Sequence, residues 1–332
     1  MAGALLHERF PELVETLPHI QLSARPTSVR LLEHLSDGRA PVWLKDDGAF
    51  GEGGCGGSKV RKLEWLLPDV RRRDRRTIVT LGGLGTNCGL ATALYAREYG
   101  LATVLALYDQ PVDDHVAAQF ARIERSPATL HRTRTRTRAV AALPWLLARH
   151  ADGLRPPYLL APGGSSPVGV LGYVDAALEI AAQVRDGALP APSHIVVAVS
   201  SGGTAAGMLL GLRLAGLRAR VVAVLVNDTP KLGERVLWLA RRSERLLRDR
   251  GANLPPLDLS PGDVTVVREW LGPGYGHRTP AGERAREVAE ERVHLELDPV
   301  YTAKAMAALL AMNAVGEFGD GPVLFLRTNG PH

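Results

Sequence analysis

Cysteine is scarce in this chain: Cys55 and Cys88 are the only two among 332 residues. Two cysteines cannot form the disulfide framework of a small secreted domain, which favours a reducing compartment. Residues 1–10 include three consecutive polar side chains and lack the apolar core of a signal peptide. No apolar run approaches the roughly 20 residues that a membrane-spanning helix needs. We therefore expect a cytoplasmic protein that does not enter a membrane.

A long block of like charges is also missing. The chain has 40 Lys and Arg against 35 Asp and Glu, and the resulting formal charge of +5 is scattered along it. Nucleic acid is therefore not the expected partner, because nucleic-acid-binding proteins gather positive charge on one face. With 45% apolar and 23% charged residues, the composition is that of a soluble globular protein, and the length suffices for two domains.

Glycine, in contrast, is abundant and concentrates in a loop from Gly48 to Gly57. The loop leads into residues 58–64, which have the pattern of a helix start with Ser58 as its N-cap. We expect Lys59 at the helix N-terminus, beside a backbone with few side chains, a place that attracts an anion. The positive charge of Lys62 would favour loss of a proton from Lys59. A neutral lysine amine can form a Schiff base with an aldehyde.

Two other interpretations of this loop are open. Residues 51–56 match G-x-G-x-x-G, the dinucleotide-binding fingerprint, but any glycine-rich segment produces this pattern easily. The phosphate-loop pattern G-x-x-x-x-G-K fails, because Ser58 separates Gly57 from Lys59. The loop could also be a flexible linker before a solvated helix. In either case we expect Pro68 to end or kink the helix that carries Lys59.

Strand and helix patterns alternate along the whole chain, which predicts a mostly parallel α/β sheet. Apolar and β-branched segments predict strands at 41–44, 77–81, 102–107, 127–131, 157–161, 194–199 and 220–226. Three glycine-bearing loops, 82–87, 162–166 and 200–204, follow such strands, and we expect them to surround one ligand at the carboxyl edge of the sheet. The last of these loops suits a phosphate that arrives without a metal. Thr86 and Asn87 offer a hydroxyl and an amide to the ligand, or simply cap the next helix.

Two tyrosines in the last quarter of the chain have unusual sequence surroundings. Tyr275 lies between two glycines, and Tyr301 and Thr302 follow a proline turn at a predicted helix start. Their hydroxyl groups are candidates for contact with a ligand. The alternative is that Tyr301 is a core aromatic residue with a satisfied hydroxyl and that Thr302 is an N-cap.

Arginine alternates with threonine from Arg132 to Arg138. A period of two places the four arginines on one face of an extended segment. This face is either a patch for an acidic partner or a solvated sheet edge that charge protects from aggregation.

Together these segments resemble the pyridoxal-phosphate (PLP) enzymes of the tryptophan synthase β-like fold (fold type II). They are most similar to the branch that contains D-cysteine desulfhydrase and aminocyclopropane-carboxylate deaminase. The resemblance covers about residues 26–330, and its most specific motif is Gly56-Gly57-Ser58-Lys59-Val60-Arg61-Lys62-Leu63-Glu64. The supporting motifs are residues 82–87, 162–167, 200–207 and 298–304.

This resemblance implies two open parallel-sheet α/β domains with pyridoxal 5′-phosphate in the cleft between them. Residues 1–62 and 163–332 would form a larger, discontinuous cofactor-binding domain. Residues 63–162 would form a smaller α/β domain. A homodimer is common in this family, and we expect one here.

The resemblance also implies roles for individual residues. The cofactor-binding residues would be Lys59, Lys62, Asn87, Ser201, Gly202, Gly203, Thr204 and Thr302, and the catalytic residues would be Lys59, Thr86, Tyr275 and Tyr301. Lys59 would form the Schiff base, Asn87 would bond the 3′ oxygen of the ring, and Thr302 would face the pyridine nitrogen. Lys62 and the loop 201–204 would hold the phosphate. No metal is implied.

Several positions depart from the family pattern. Thr86 stands where serine is usual, Cys88 follows where larger polar groups are common, and Ser58 replaces an asparagine. Residues 326–330 stand where His-Thr-Gly-Gly is usual. Since Thr86 and Cys88 lie where substrate would bind, the exact substrate and its stereochemistry stay open.

The expected activity is that of a PLP-dependent lyase, which eliminates a β substituent from a small amino acid such as D- or L-cysteine. The products would be pyruvate and ammonia. Alternatives are β-replacement, an aminocyclopropane-carboxylate deaminase-like activity, and a non-catalytic PLP-binding protein. The presence of Lys59, both tyrosines and the full phosphate loop argues against the last. Thr302 is neutral where the deaminases carry glutamate, which favours elimination over cyclopropane opening.

Overall fold

The computed structural model describes residues 3–35, 39–51 and 56–329. Cys55, most of the 51–56 dinucleotide-like pattern and Gly330 lie outside the described residues. The strands are β1 Val29–Leu31, β2 Val42–Asp46, β3 Thr77–Gly83, β4 Ala102–Tyr108, β5 Thr129–Arg134, β6 Tyr158–Leu159, β7 His194–Val199, β8 Arg220–Leu225, β9 Val264–Val267 and β10 Val323–Arg327. The α-helices are α1 Leu5–Arg9, α2 Ser58–Arg72, α3 Asn87–Glu98, α4 Asp114–Glu124, α5 Arg136–Ala141, α6 Leu143–Arg149, α7 Pro167–Arg185, α8 Gly203–Ala215, α9 Leu232–Asp249, α10 Pro280–Val293 and α11 Thr302–Ala314. Short 3₁₀ turns cover Pro11–Leu13, Glu33–Leu35, Asp47–Ala49, Pro162–Gly164 and Pro261–Asp263.

The strands form two separate sheets. One sheet has six strands in the order β1-β2-β10-β7-β8-β9, and the other has four in the order β5-β4-β3-β6. Neighbouring strands are parallel throughout, except that β1 runs antiparallel to β2. The predicted α/β architecture with two open parallel sheets is confirmed. The alternation of strands and helices by itself suggests one sheet, whereas the structure contains two.

The described strands of the four-stranded sheet all fall within the predicted smaller domain, residues 63–162. Helix α2 crosses the predicted boundary at residue 62, and one continuous apolar core joins residues of both sheets. The domain boundaries themselves stay a prediction.

Helix α7 packs between α2 and α8, and glycine allows the close approach on both sides. A Cβ atom at Gly172 would lie 2.1 Å from the carbonyl oxygen of Arg61 in α2. A Cβ atom at Gly211 of α8 would lie 2.6 Å from the carbonyl oxygen of Val174. Since no side chain fits in either place, these glycines fix how closely α2 and α8 approach α7.

By length and composition alone, α7 is apolar enough to cross a membrane, contrary to the sequence expectation. However, 78% of its most apolar window is buried inside the protein. The helix also carries two buried carboxylates, Asp175 and Glu179, which form ion pairs with Arg25 and Arg61 respectively. These features are those of a core helix, whose apolar surface is covered by protein and whose charges are paired.

A buried cluster of charged side chains around Arg61 holds α2 in place. The guanidinium of Arg61 donates to both carboxylate oxygens of Asp47, at 2.7 Å each, and to Glu179 at 3.1 and 3.2 Å. The ammonium of Lys45 donates to Glu179 at 2.6 Å. The carboxylates hold the pKa of Arg61 well above its usual range, so Arg61 stays charged. Because Arg61 lies two residues after Lys59, this cluster sets the rotation of α2 about its axis.

Pro68 neither ends nor visibly interrupts α2, which continues to Arg72. The sequence expectation is therefore wrong at this point. Proline cannot donate a hydrogen bond to the carbonyl of Glu64, one turn earlier. The amide of Ile20 donates to that carbonyl instead, at 3.0 Å, so a tertiary contact satisfies the acceptor.

The arginine run is not one extended segment. Strand β5 ends at Arg134, where φ is +63°, and α5 begins at Arg136. The hydroxyl of Thr135 accepts a hydrogen bond from the amide of Arg138 and caps the helix. Strand β5 does lie at the edge of its sheet, as the second interpretation of the run requires.

Candidate active site

The start of α2 is held against the loop after β10. Gly57 adopts φ of +100°, and a Cβ atom there would lie 2.5 Å from the carbonyl oxygen of Thr328. The amide of Ser58 donates to the same carbonyl at 2.8 Å. The turn therefore requires glycine, and the N-cap is Gly57 rather than Ser58 as the sequence suggests. Lys59 is consequently the second residue of the helix.

Lys59 is half-buried, and its ammonium nitrogen donates to the hydroxyl of Ser58 at 2.7 Å. Burial lowers the pKa of Lys59, while Cys88 and Asp298 act to raise it. The sequence attributes this shift to the charge of Lys62, but desolvation is its main cause. A lysine with a lowered pKa offers more of the neutral amine, which is the nucleophilic form.

Lys62 lies one turn further along α2, is fully buried, and donates to the carbonyl of Gly163 at 3.0 Å. Burial, and then the positive charge of Lys59, lower the pKa of Lys62 to about 7. No carboxylate of the described residues pairs with it. A buried cation without a counterion is a ready partner for an anion.

The loop between β7 and α8 forms a small cup beside Lys62. Gly202 is the N-cap of α8 with φ of +91°, and no side chain caps the helix. The amide of Gly203 donates to the hydroxyl of Ser165 at 3.1 Å, and that hydroxyl lies 2.6 Å from the hydroxyl of Ser201. Within the described chain, the amides of Gly202 and Thr204 donate to no protein acceptor. Amide groups directed outwards at a helix N-terminus suit an anion such as phosphate.

Ser165 is a site residue that sequence analysis did not single out, although its loop was included. Its hydroxyl supports both Ser201 and Gly203, so it connects the loops after β6 and β7. The sequence feature that could have identified Ser165 is its position directly after Gly163 and Gly164, at the carboxyl end of a strand.

Thr86 and Asn87 lie on the opposite wall. Thr86 caps α3 by accepting the amide of Gly89 at 3.1 Å, so its alternative structural role is confirmed. The side-chain oxygen of Asn87 accepts from Gln119 at 2.6 Å, and its amide nitrogen donates to Asn329 at 3.3 Å. These two bonds fix the orientation of Asn87 towards the cavity.

Tyr275 and Tyr301 form a pair at the same cavity. Their hydroxyl oxygens are 2.8 Å apart, and their rings meet edge to face. Burial raises the pKa of Tyr275 to about 12 and that of Tyr301 well above its usual value. Both hydroxyls are therefore protonated near neutral pH and can donate hydrogen bonds.

Thr302 begins α11 but is fully buried, and it lines neither the main cavity nor the recess beside it. Its hydroxyl donates to the carboxylate of Asp298 at 2.7 Å and accepts the amide of that residue at 2.9 Å. Thr328, which sequence analysis did not single out, lines both spaces. The role of Thr302 at a ring nitrogen stays a prediction.

One cavity of about 860 Å³ brings most of the expected residues together. Its wall includes Lys59, Thr86, Asn87, Ser201, Tyr275 and Tyr301. A recess of about 30 Å³ shares Lys59 and Ser201 with the cavity and adds Lys62, Gly202, Gly203 and Thr204. The three glycine-bearing loops do meet at one place, as expected, although they follow strands of two different sheets.

The cavity also contains residues that sequence analysis did not assign to it, among them Tyr108, Arg136, Thr328 and Asn329. Tyr108 is the last residue of β4, and Thr328 and Asn329 directly follow β10. The carboxyl-end rule for parallel sheets locates all three once the strand ends are known.

Comparison with known proteins agrees with this geometry. A family model described as pyridoxal-phosphate dependent enzyme matches residues 20–328. D-cysteine desulfhydrase of Klebsiella pneumoniae (strain 342) is 33% identical over 323 residues, 94% of each chain, and that of Salmonella choleraesuis matches equally well. A crystal structure of an aminocyclopropane-carboxylate (ACC) deaminase homologue has a TM-score of 0.83 at 28% identity, covering 99% of this chain and 95% of that one. The processed form of threonine deaminase isoform 2 from Solanum lycopersicum shares the fold, with a TM-score of 0.66 at 13% identity and 100% and 86% coverage. This chain belongs to the pyridoxal-phosphate dependent enzymes of fold type II.

Proposed function

We propose that this enzyme is a lyase that removes a β substituent from a small amino acid and releases pyruvate and ammonia. The observation that carries the proposal is the arrangement of Lys59, the tyrosine pair and the amide cup around one cavity. The likeness to proteins named D-cysteine desulfhydrase supports a substrate such as D-cysteine.

The residues fit pyridoxal phosphate. The recess offers the free amides of Gly202 and Thr204, the hydroxyl of Ser201 and the buried ammonium of Lys62 to a phosphate group. Lys59 is on the wall of both the cavity and the recess, so its amine lies within the same site as the cup. When bound, the cofactor supplies an aldehyde that condenses with amines and a ring that withdraws electrons.

The polar groups on the opposite wall would complete cofactor binding. Asn87, held by Gln119 and Asn329, would donate from its amide to the 3′ oxygen of the ring. We propose Thr302 as the residue that faces the ring nitrogen. The threonine on the cavity wall itself is Thr328. Neither threonine carries a charge, so neither can itself act as a negative partner of the nitrogen. This favours loss of a β leaving group over opening of a cyclopropane.

The catalytic steps of the protein are proton transfers. The neutral amine of Lys59 takes the α proton of the substrate, and the electron pair of that C–H bond expels the β substituent. The Tyr275–Tyr301 pair, protonated at neutral pH, donates a hydrogen bond or a proton to the leaving group. Thr86 and the adjoining backbone orient the carboxylate. Water hydrolyses the released enamine to pyruvate and ammonia.

The test offers D- and L-cysteine, both β-chloroalanines and aminocyclopropane carboxylate to the purified holoenzyme. We expect pyruvate and ammonia from at least one β-substituted alanine. A thioether product in the presence of an added thiol would indicate β-replacement instead. Efficient 2-oxobutyrate release from aminocyclopropane carboxylate, with no turnover of the β-substituted alanines, would contradict the elimination proposal. Binding of the cofactor with no turnover of any substrate would indicate a non-catalytic protein.

We also propose that the enzyme is a cytoplasmic homodimer. Support comes from the scarcity of cysteine and from the resemblance to a family in which homodimers are common. Sedimentation equilibrium of the holoenzyme would show a single species of twice the chain mass of 35.6 kDa. A monomer at micromolar concentration would contradict the proposal.

A further inference from the structure

The cavity extends past the groups that the proposed reaction uses. At about 860 Å³ it lies towards the upper end of the range typical of ligand sites. Its wall also includes Tyr108, at the end of β4, and Arg136, at the start of α5. Neither residue has a role in the elimination chemistry described above.

Arg136 is exposed and has no ion-pair partner among the residues that the structure describes. Its neighbour in the arginine run, Arg132, differs in that it pairs with Asp109 at 3.2 Å. An arginine on the wall of a ligand cavity, with its guanidinium free, offers a forked donor to a carboxylate or a similar anion.

Tyr108 lies on the cavity wall together with Arg136 and the tyrosine pair. The positive charge of Arg136 acts to lower the pKa of Tyr108, against the effect of burial. Tyr108 in turn acts to raise the pKa of both Tyr275 and Tyr301. All four side chains, Tyr108, Tyr275, Tyr301 and Arg136, lie on the wall of this one cavity.

Two other cations of the cavity wall, Arg235 and Lys231, each have one partner within the protein. Arg235 donates through Nε to the carbonyl of Ser201 at 2.8 Å, and Lys231 pairs with Glu234 at 3.5 Å. Asp228 lies on the same wall, which therefore carries both positive and negative charges. Arg136, at the start of the helix after β5 of the smaller sheet, differs from Arg235 and Lys231 in that its side chain has no hydrogen-bond or ion-pair partner among the described residues.

We propose that Arg136 binds a second acidic group at the far end of the β substituent of the substrate. The substrate class is then an amino acid whose leaving group itself carries a carboxylate or a comparable anion. This inference rests on the proposed function. It also gives the acidic-partner interpretation of the arginine run a specific form: one arginine of the run meets the substrate.

The test compares two cysteine conjugates of equal shape, S-carboxymethylcysteine and S-carbamoylmethylcysteine, each as D and L forms. Both yield pyruvate, and only the first carries the distal charge. We expect the wild-type holoenzyme to prefer the acid in kcat/KM, and Arg136→Gln to reduce the ratio of acid to amide about tenfold, as for loss of a charged hydrogen bond. Arg138→Gln, an exposed substitution in the same helix and off the cavity wall, should keep the wild-type ratio.

Three results would overturn the inference. The first is a wild-type ratio near one. The second is an equal loss for acid and amide in Arg136→Gln, which would assign this arginine to the common α-carboxylate. The third is a loss of preference in Arg235→Gln but not in Arg136→Gln. Thermal unfolding of each variant shows whether it has folded.

A binding measurement separates failure of this inference from failure of the proposed function. The compound 2-aminoadipate has the shape of S-carboxymethylcysteine with a methylene in place of sulfur, so it has no leaving group. Its dissociation constant and that of its 6-amide are measured by titration of the holoenzyme. Tighter binding of the acid, lost in Arg136→Gln, would support the inference even if no conjugate were cleaved. Equal binding of acid and amide would contradict it.

Discussion

The hydroxyl groups of Tyr275 and Tyr301 are hydrogen-bonded at 2.8 Å, although the two residues belong to a loop and to a helix start. Lys304, one turn into α11, is fully buried and donates to the carbonyl of Leu271 at 2.8 Å. This bond ties the loop that carries Tyr275 to the helix that follows Tyr301. Helix α11 therefore places both tyrosines, since Tyr301 directly precedes it and its Lys304 holds the loop that carries Tyr275.

Tyr275→Phe and Tyr301→Phe should each reduce kcat by about 10²-fold, the magnitude expected when one proton-donating group is lost. The two losses should not add, because each variant already breaks the same hydrogen bond. Steady-state kinetics of the single and double variants provide the measurement. Tyr158→Phe is the matched control, since its hydroxyl bonds to Asp69 at 3.1 Å away from the cavity. Additive losses would show that the tyrosines act independently.

Lys59→Ala should abolish covalent attachment of the cofactor and reduce turnover at least about 10³-fold, since it removes both the nucleophile and the base. The holoenzyme is reduced with borohydride and digested, and the labelled peptide is identified by mass. We expect the label on Lys59 in the wild type and none in the variant. A label on Lys62 or Lys304 in the wild-type protein would show that the cofactor is attached to that lysine instead.

Gly203→Asp should weaken cofactor binding more strongly than Gly203→Ala. A Cβ atom at residue 203 would lie 2.4 Å from the hydroxyl of Ser165, so both substitutions disturb the cup. Aspartate also places a negative charge where we expect the phosphate, which costs further binding energy. Equilibrium dialysis of the apoprotein with pyridoxal phosphate measures the affinities. Unchanged affinity in the aspartate variant would place the phosphate elsewhere.

Phosphate binding should weaken as pH rises above about 7. The pKa of Lys62 in the free protein is about 7, and a phosphate beside it would raise that pKa. Between the two values binding takes up a proton, so affinity falls by up to about tenfold per pH unit. Pyridoxine 5′-phosphate, which has no aldehyde, removes the contribution of Lys59. Titrations over a range from acidic to mildly alkaline pH should show this slope in the wild type and a flatter profile in Lys62→Met. A flat wild-type profile would exclude Lys62 as the phosphate cation.

Arg61→Met should lower the free energy of unfolding by about 3–5 kcal/mol, because it leaves the buried carboxylate of Asp47 without its paired cation and that of Glu179 with Lys45 alone. Both carboxylates accept a hydrogen bond from the guanidinium in the wild type. Urea unfolding measures the change. Arg72→Met, which breaks the partly exposed pair with Asp69, is the control and should cost less than about 1 kcal/mol. Similar losses in both variants would mean that the buried cluster does not stabilise α2.

Local patterns were sufficient where the structure depends on near neighbours. The buried strands β3, β4, β7 and β8 follow from their β-branched residues, and the helix carrying Lys59 follows from the glycines before it. The end of the extended part of the arginine run was also predictable, because Thr135 is a local N-cap of α5. The family followed from motifs that keep fixed spacing along the chain.

Contacts between distant segments decided the rest. The continuation of α2 through Pro68 depends on an amide of Ile20, and the turn at Gly57 depends on a carbonyl of Thr328. Neither partner is within reach of a sequence window. The same holds for Arg136, which becomes a cavity residue only because the smaller sheet faces the larger one. Composition and periodicity determine which elements form, since they reflect local propensity and burial. Which side chains meet across a cleft depends on how those elements pack, and that is fixed only in the tertiary structure.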